Sequence, residues 1–214
     1  KVTAEAPEVR GTLRLNTPVS FGIHEIAPLL PQLLERYPAL TIDLGLNDRQ
    51  VDPVDEGWDL VVRIGSLRSS TLIARRIAPC RTLVCAAPSY LAERGTPRTI
   101  ADLASHACLG YTYAAVTSAW TFDARDGTRQ TPRIAPRHRT NNGRMLAELA
   151  VAGLGIVLEP DFIVAPEVRS GRLQRLLSGY QPPRSAIAAV YPSRRHLSAK
   201  VRTFVGFLAA RSAQ

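Results

Sequence analysis

The chain reads as an α/β protein on three observations. Short apolar stretches at residues 11–17, 40–46 and 59–64 have strand patterning, with helical spacing between the first two. After Gly65 the pattern changes to extended segments and short helices. Near the end, an apolar run at 186–191 gives way to a helix with one buried face.

In the first part, Leu13 and Leu15 alternate with polar neighbours, as in a half-buried strand. Ile23, Ile26, Leu30, Leu33, Leu34 and Tyr37 then mark a helix, which Pro28 and Pro31 must kink or confine to an irregular first turn. Leu40, Ile42, Leu44 and Leu46 alternate strictly as a second strand. Pro53 opens a short helix that ends at Gly57, and residues 59–64 are a buried third strand. This alternation implies a parallel sheet covered on both faces.

Residues 72–78 and 81–87 read as extended segments around Pro79. Pro88 starts a helix, 97–103 hold another short one, and 108–111 form a strand. Trp120, Thr121 and Phe122, followed by Asp126-Gly127, suggest a hairpin closed by a primed turn. Asn141 or Asn142 caps a helix over 143–152, which Gly153 ends in the left-handed conformation. A strand at 156–158, stopped by Pro160, precedes a helix over 161–168 ending at Gly171. Pro192 ends the strand at 186–191. After a basic loop, Ser198 caps a helix whose Val201, Phe204, Val205 and Leu208 share one face.

Composition narrows the function classes. A chain of 214 residues with 45% hydrophobic and 21% charged content needs neither a disulfide nor a metal to fold. No apolar stretch approaches the roughly 20 residues of a membrane span, and the N-terminus lacks a signal peptide's apolar core, so the expected location is cytoplasmic. The net charge of +9 invites a nucleic-acid reading, but the arginines are scattered and only Lys1 and Lys200 are lysines. Cys80, Cys85 and Cys108 have neither metal-ligand spacing nor a disulfide framework, and read as buried reduced thiols.

Catalytic patterns fail at single positions. Pro18-Val19-Ser20-Phe21-Gly22 lacks the first glycine of a nucleophile elbow, and His24-Glu25 meets Pro28 where a zincin needs histidine. The loop after Gly153-Leu154-Gly155 has Leu158 where a dinucleotide site needs glycine, and it follows a helix. The four histidines have no metal spacing. No enzyme activity, cofactor or metal is expected. Binding is the better class.

Ligands of open α/β sheets sit beyond the carboxyl ends of the strands. Here those ends are residues 17–21, Asn47 and Asp48, Arg63 to Gly65, Tyr111 and Thr112, and 141–143. Ser20 and Asn142 are expected to open helices, whose free N–H groups favour an anion. Alternatively, Ser20 and Asn142 are plain caps, Phe21 a hydrophobic staple and Arg63 half of a packing ion pair.

Three segments resemble one family. Tyr191-Pro192-Ser193-Arg194-Arg195-His196-Leu197-Ser198-Ala199-Lys200 and the helix after it are similar to the C-terminal signature of LysR-type transcriptional regulators. Asn141-Asn142-Gly143-Arg144-Met145-Leu146, with Ala150 to Pro160, resembles a block of the family's effector-binding domain. Gly11-Thr12-Leu13-Arg14-Leu15 resembles the strand after its linker helix.

The resemblance implies a type-2 periplasmic-binding-protein-like fold: two α/β lobes joined by two crossover segments. Residues 1–10 would end the linker, 11–79 plus 191–214 form lobe one, and 84–186 form lobe two. It implies an effector-binding domain with the effector between the lobes. Ser20, Phe21, Asn47, Arg63, Gly65, Tyr111, Thr112, Asn142 and Gly143 would line that site. The partners expected are a small-molecule effector, carrying a carboxylate by the helix-start argument, and a second copy in a homodimer or tetramer. The copies would meet through the first helix (residues 23–37) and second strand (40–46). The family's helix-turn-helix would precede Gly11, so DNA contact is expected only through that segment, and no membrane contact. The alternative is a free-standing solute-binding protein of the same fold. An enzyme on this fold would need an acid–base pair that the strand ends do not offer.

Overall fold

The computed structural model describes residues 8–65, 72–113, 120–124, 126–182, 185–192 and 197–211. The chain divides into two compact units, residues 1–79 with 185–214, and 80–184. The return strand therefore belongs wholly to the first unit, whereas the sequence places its start in the second.

The first unit is built on a five-stranded sheet in the order β2-β1-β3-β12-β4. Strands β1 (Gly11–Thr17), β2 (Leu40–Leu46) and β3 (Leu60–Gly65) are parallel, with Leu13 beside Ile42 and Leu15 beside both Leu44 and Leu60. β12 (Ser185–Tyr191) runs antiparallel to β3, with Val190 beside Val61, and separates it from edge strand β4 (Ile73–Cys80).

Between β1 and β2, α1 (Val19–Phe21) passes into a π-helical turn (Gly22–Ile26), where Ala27 N–H donates to Gly22 C=O. Pro28 has no N–H with which to continue an α ladder, so the helix breaks there and resumes as α2 (Leu30–Arg36). The expected helix at 53–57 is only a closed turn, held by Asp52, whose Oδ1 accepts from Val54 N–H (2.8 Å) and whose C=O accepts from Glu56 N–H.

The last helix, α6 (Ala199–Arg211), buries Val201, Phe204, Val205 and Leu208 and lies against β1. Each such side chain contributes about 1.5–3 kcal/mol of apolar burial. The loop residues 193–196 fall outside the described residues.

In the second unit, β5 (Thr82–Ala86) is central to an antiparallel sheet between β10 (Val157–Pro160) and β11 (Gln174–Leu176). α3 (Pro88–Arg94) and a 3-10 turn (Ala101–Ser105) follow β5. Strand β6 (Leu109–Tyr111) pairs in parallel with β9 (His138–Thr140), and Cys108 bridges to Ile156. β7 (Phe122–Asp123) and β8 (Arg129–Gln130) form the expected hairpin, but Asp123 pairs with Arg129, so the loop is longer than a two-residue primed turn. Helices α4 (Gly143–Val151) and α5 (Asp161–Arg169) complete the unit. After α4 the chain turns at Gly153, with φ +79°. Leu103, Phe122, Leu146 and Ile156 are among its fully buried core.

Candidate functional site

In the first unit the ends of β1, β2 and β3 are tied by one loop. Asn47 N–H donates to Thr17 C=O (3.0 Å), and Asp48 Oδ1 accepts from Val19 N–H, the first residue of α1 (3.0 Å). Arg49 grips Glu56 through both guanidinium nitrogens at 2.8 and 2.7 Å, and that hydrogen bond holds the Glu56 carboxyl below its ordinary pKa. Arg63 Nη2 donates to Val51 C=O at 2.7 Å. Its Nε is buried with no hydrogen-bond partner among the described residues.

Asn47 and Arg63 are thus brought to the two ends of this loop. Gly65 is the last residue of β3, at φ +127°, a backbone that side-chain-bearing residues rarely adopt. Ser20 does not open the helix: the N-cap position is Pro18, and Ser20 lies inside the first turn, buried at 4% exposure. Phe21 is 1% exposed and packs into the core, so its ring is not offered to a ligand. The expected cap at Ser20 fails because Pro18 leads straight from β1 into the helix, placing residue 20 on its inner face.

In the second unit Tyr111, Thr112 and Asn142 converge on Thr140. Tyr111 pairs with Thr140, Thr112 N–H donates to its C=O (2.8 Å), and Asn142 N–H donates to its Oγ1 (3.3 Å). Asn142 is the cap of α4, its Oδ1 accepting from Met145 N–H at 3.0 Å. The Tyr111 and Tyr113 rings meet edge to face at 6.1 Å.

Gly143, the first residue of α4, is buried against Glu159. A Cβ built there would stand 2.4 Å from Glu159 Oε2 and 2.8 Å from Ile163 Cδ1. Glu159, on β10, is itself only 4% exposed. Sequence reasoning missed the parts played by Asp48 and Glu159. One signal was present: Glu159 shares the inward strand parity of Val157, so the strand turns a carboxylate inside.

The remaining chemistry is quiet. Among the described residues, no group of three or more His, Cys, Asp or Glu could hold a metal ion. All three cysteines are free and buried, and burial pushes the Cys85 and Cys108 thiols up to about 12. Among the same residues, no helix is long and apolar enough to cross a membrane.

Comparison with known proteins completes the site's context. The LysR substrate binding domain family matches residues 6–213. An uncharacterised HTH-type transcriptional regulator of Haemophilus influenzae is 36% identical over 200 residues, covering 94% of this chain and 69% of that protein. The regulator CrgA of Neisseria meningitidis is 31% identical, covering 93% of this chain and 66% of that protein. The CrgA regulatory domain structure superposes with a TM-score of 0.83 at 30% identity, over 94% of this chain and 98% of that one. A full-length variant of AphB gives a TM-score of 0.81 at 25% identity, over 95% of this chain and 69% of that one. The chain therefore spans about two thirds of the length of these regulators. These matches establish the periplasmic-binding-protein-like fold, and place the chain among transcriptional regulators rather than among enzymes or solute receptors. Hence the chain belongs to the LysR substrate-binding-domain family, the effector-binding part of LysR-type transcriptional regulators.

Proposed function

We propose that this domain senses a small metabolite bearing a carboxylate, and passes that signal to the rest of a cytoplasmic, DNA-binding regulator. The observation that carries the charge assignment is Arg63. Its guanidinium is half-buried at the carboxyl end of β3, and among the described residues its hydrogen-bond partner is a carbonyl, not a carboxylate. A half-buried guanidinium without a counter-ion favours an incoming anion, and its fork geometry suits a carboxylate. Asn47 in the same unit, and Tyr111, Thr112 and Asn142 in the other, supply the polar groups that fix orientation.

Calorimetric titration with small carboxylates and their neutral amides tests this. Carboxylates should bind and the amides should not, and Arg63→Ala should weaken the carboxylates at least about tenfold, the equivalent of ~1.4 kcal/mol. Amide binding as tight as that of the acids, unaffected by Arg63→Ala, rejects the reading.

Dimerisation belongs to the same proposal. β2 is an edge strand, and Leu46 packs across Gly22 beside Ile23, which is 56% exposed. Two neighbouring apolar side chains on the expected surface support its use by a second copy.

A further inference from the structure

A helix start attracts an anion only while its N–H groups and partial positive charge lack a closer partner. In this chain both helix starts that the sequence offers to the effector already carry a carboxylate of the protein itself. In the first unit, Val19 N–H, at the start of α1, donates to Asp48 Oδ1. In the second, Glu159 sits over the first turn of α4, so close that Gly143 has no room for a Cβ, and is 4% exposed. Asn142 Oδ1 takes a further N–H of that turn, the one on Met145.

A ligand carboxylate brought to α4 would meet Glu159 rather than an open ring of donors. Two carboxylates at such range in a poorly solvated place repel strongly, and one of them must give up its charge. Arg63 has no such competitor among its hydrogen-bond partners in the described residues. The molecule therefore presents one cationic anchor, and an acidic group where the sequence suggests a second anchor.

We infer that Glu159 is a specificity-determining residue, which restricts the effector to a monocarboxylate whose far end is uncharged or donates hydrogen bonds. This rests on the carboxylate reading above and narrows it.

The test uses pairs matched in carbon skeleton: butyrate with succinate, hexanoate with adipate, and benzoate with terephthalate. Each is titrated calorimetrically into the 214-residue chain and into Glu159→Gln, with a thermal melt of both. In the unsubstituted chain the monoacid of the best-binding pair should win by about tenfold or more. In Glu159→Gln that preference should shrink to about threefold or less, with monoacid affinity retained. Diacids that bind the unsubstituted chain as well as their monoacids overturn the inference and leave the carboxylate reading standing. So does an unchanged preference in a Glu159→Gln chain that melts cooperatively. If that variant does not fold, the unsubstituted comparison decides alone. If no acid of either kind binds, the carboxylate reading falls and takes this inference with it.

Discussion

Lys200 Nζ lies 2.6 Å from Asp59 Oδ2 and also donates to Thr12 C=O, which fastens the first turn of the last helix to the approaches of β1 and β3. Both side chains are about three-quarters withdrawn from solvent. The lysine of the C-terminal signature is thus a structural clamp. Lys200→Met should cost about 1.5–3 kcal/mol, the range for a hydrogen bond to a charged group. Thermal unfolding should register this as a drop of several degrees, and an unchanged melting temperature rejects the clamp.

Arg144 joins two glutamates of very different burial. It meets Glu167, 3% exposed, at 2.8 Å, and Glu148, 46% exposed, one helical turn along. Glu167→Gln should destabilise the chain by about 2–4 kcal/mol, since it strips a buried charge from its partners. Glu148→Gln should cost at most about 0.5 kcal/mol. Urea unfolding of the two variants side by side measures the difference, and equal losses would contradict the role given to burial.

Gly143→Ala should cost about 1–3 kcal/mol by overpacking. The added methyl would meet Glu159 Oε2 and Ile163 Cδ1, and neither can swing clear, because both side chains are buried. Gly127→Ala, where nothing lies within 4 Å, controls for the volume change but not for its own φ of +83°. Far-UV melting curves separate the two effects.

Alkaline pH should weaken the fold through its thiols. Cys85 and Cys108 are raised from 9.0 to about 12 by burial, so between these values the unfolded chain sheds thiol protons that the folded chain keeps. Fewer protons on the unfolded state means stability falls with rising pH, by up to about 1.4 kcal/mol per pH unit for each thiol. The contribution is fully present below pH 9 and lost on approach to pH 12. Denaturant midpoints from about pH 8 to about pH 10.5, compared with those of a Cys85→Ala, Cys108→Ala chain, should show the slope lessened in the double variant.

If a second copy covers Ile23 and Leu46, Ile23→Arg should shift the chain toward monomer, without lowering its melting temperature in the monomeric state. Light scattering at several concentrations reads the outcome. An unaltered mass distribution would place any self-association elsewhere.

What was legible in the sequence follows the range of the forces involved. Leu13, Leu15, Leu40, Ile42 and Leu44 announced their strands because one buried face imposes a period of two. The capped start of α4 was visible because an Asn cap acts within three residues. β9 (His138–Thr140) and β11 (Gln174–Leu176) were missed, since three residues rich in polar side chains carry no period, and only their neighbours define them. The partnerships of Asp48 with Val19, and of Glu159 with Gly143, span 29 and 16 positions. No local pattern encodes such distances. Those same two partnerships changed the electrostatic picture of the candidate site.

The position of β12 sets an order of events during synthesis. It lies between β3 and β4 in the first sheet, yet it follows the whole second unit in the chain. A nascent chain can finish the second unit while β3 still has a bare edge and β4 has nothing to pair with. The missing strand and last helix arrive only in the final 30 residues, which a ribosome adds in about 2–6 s at ~5–20 residues per second. Throughout that interval the host sheet is an unfinished template, open to any extended segment that reaches it before β12 does.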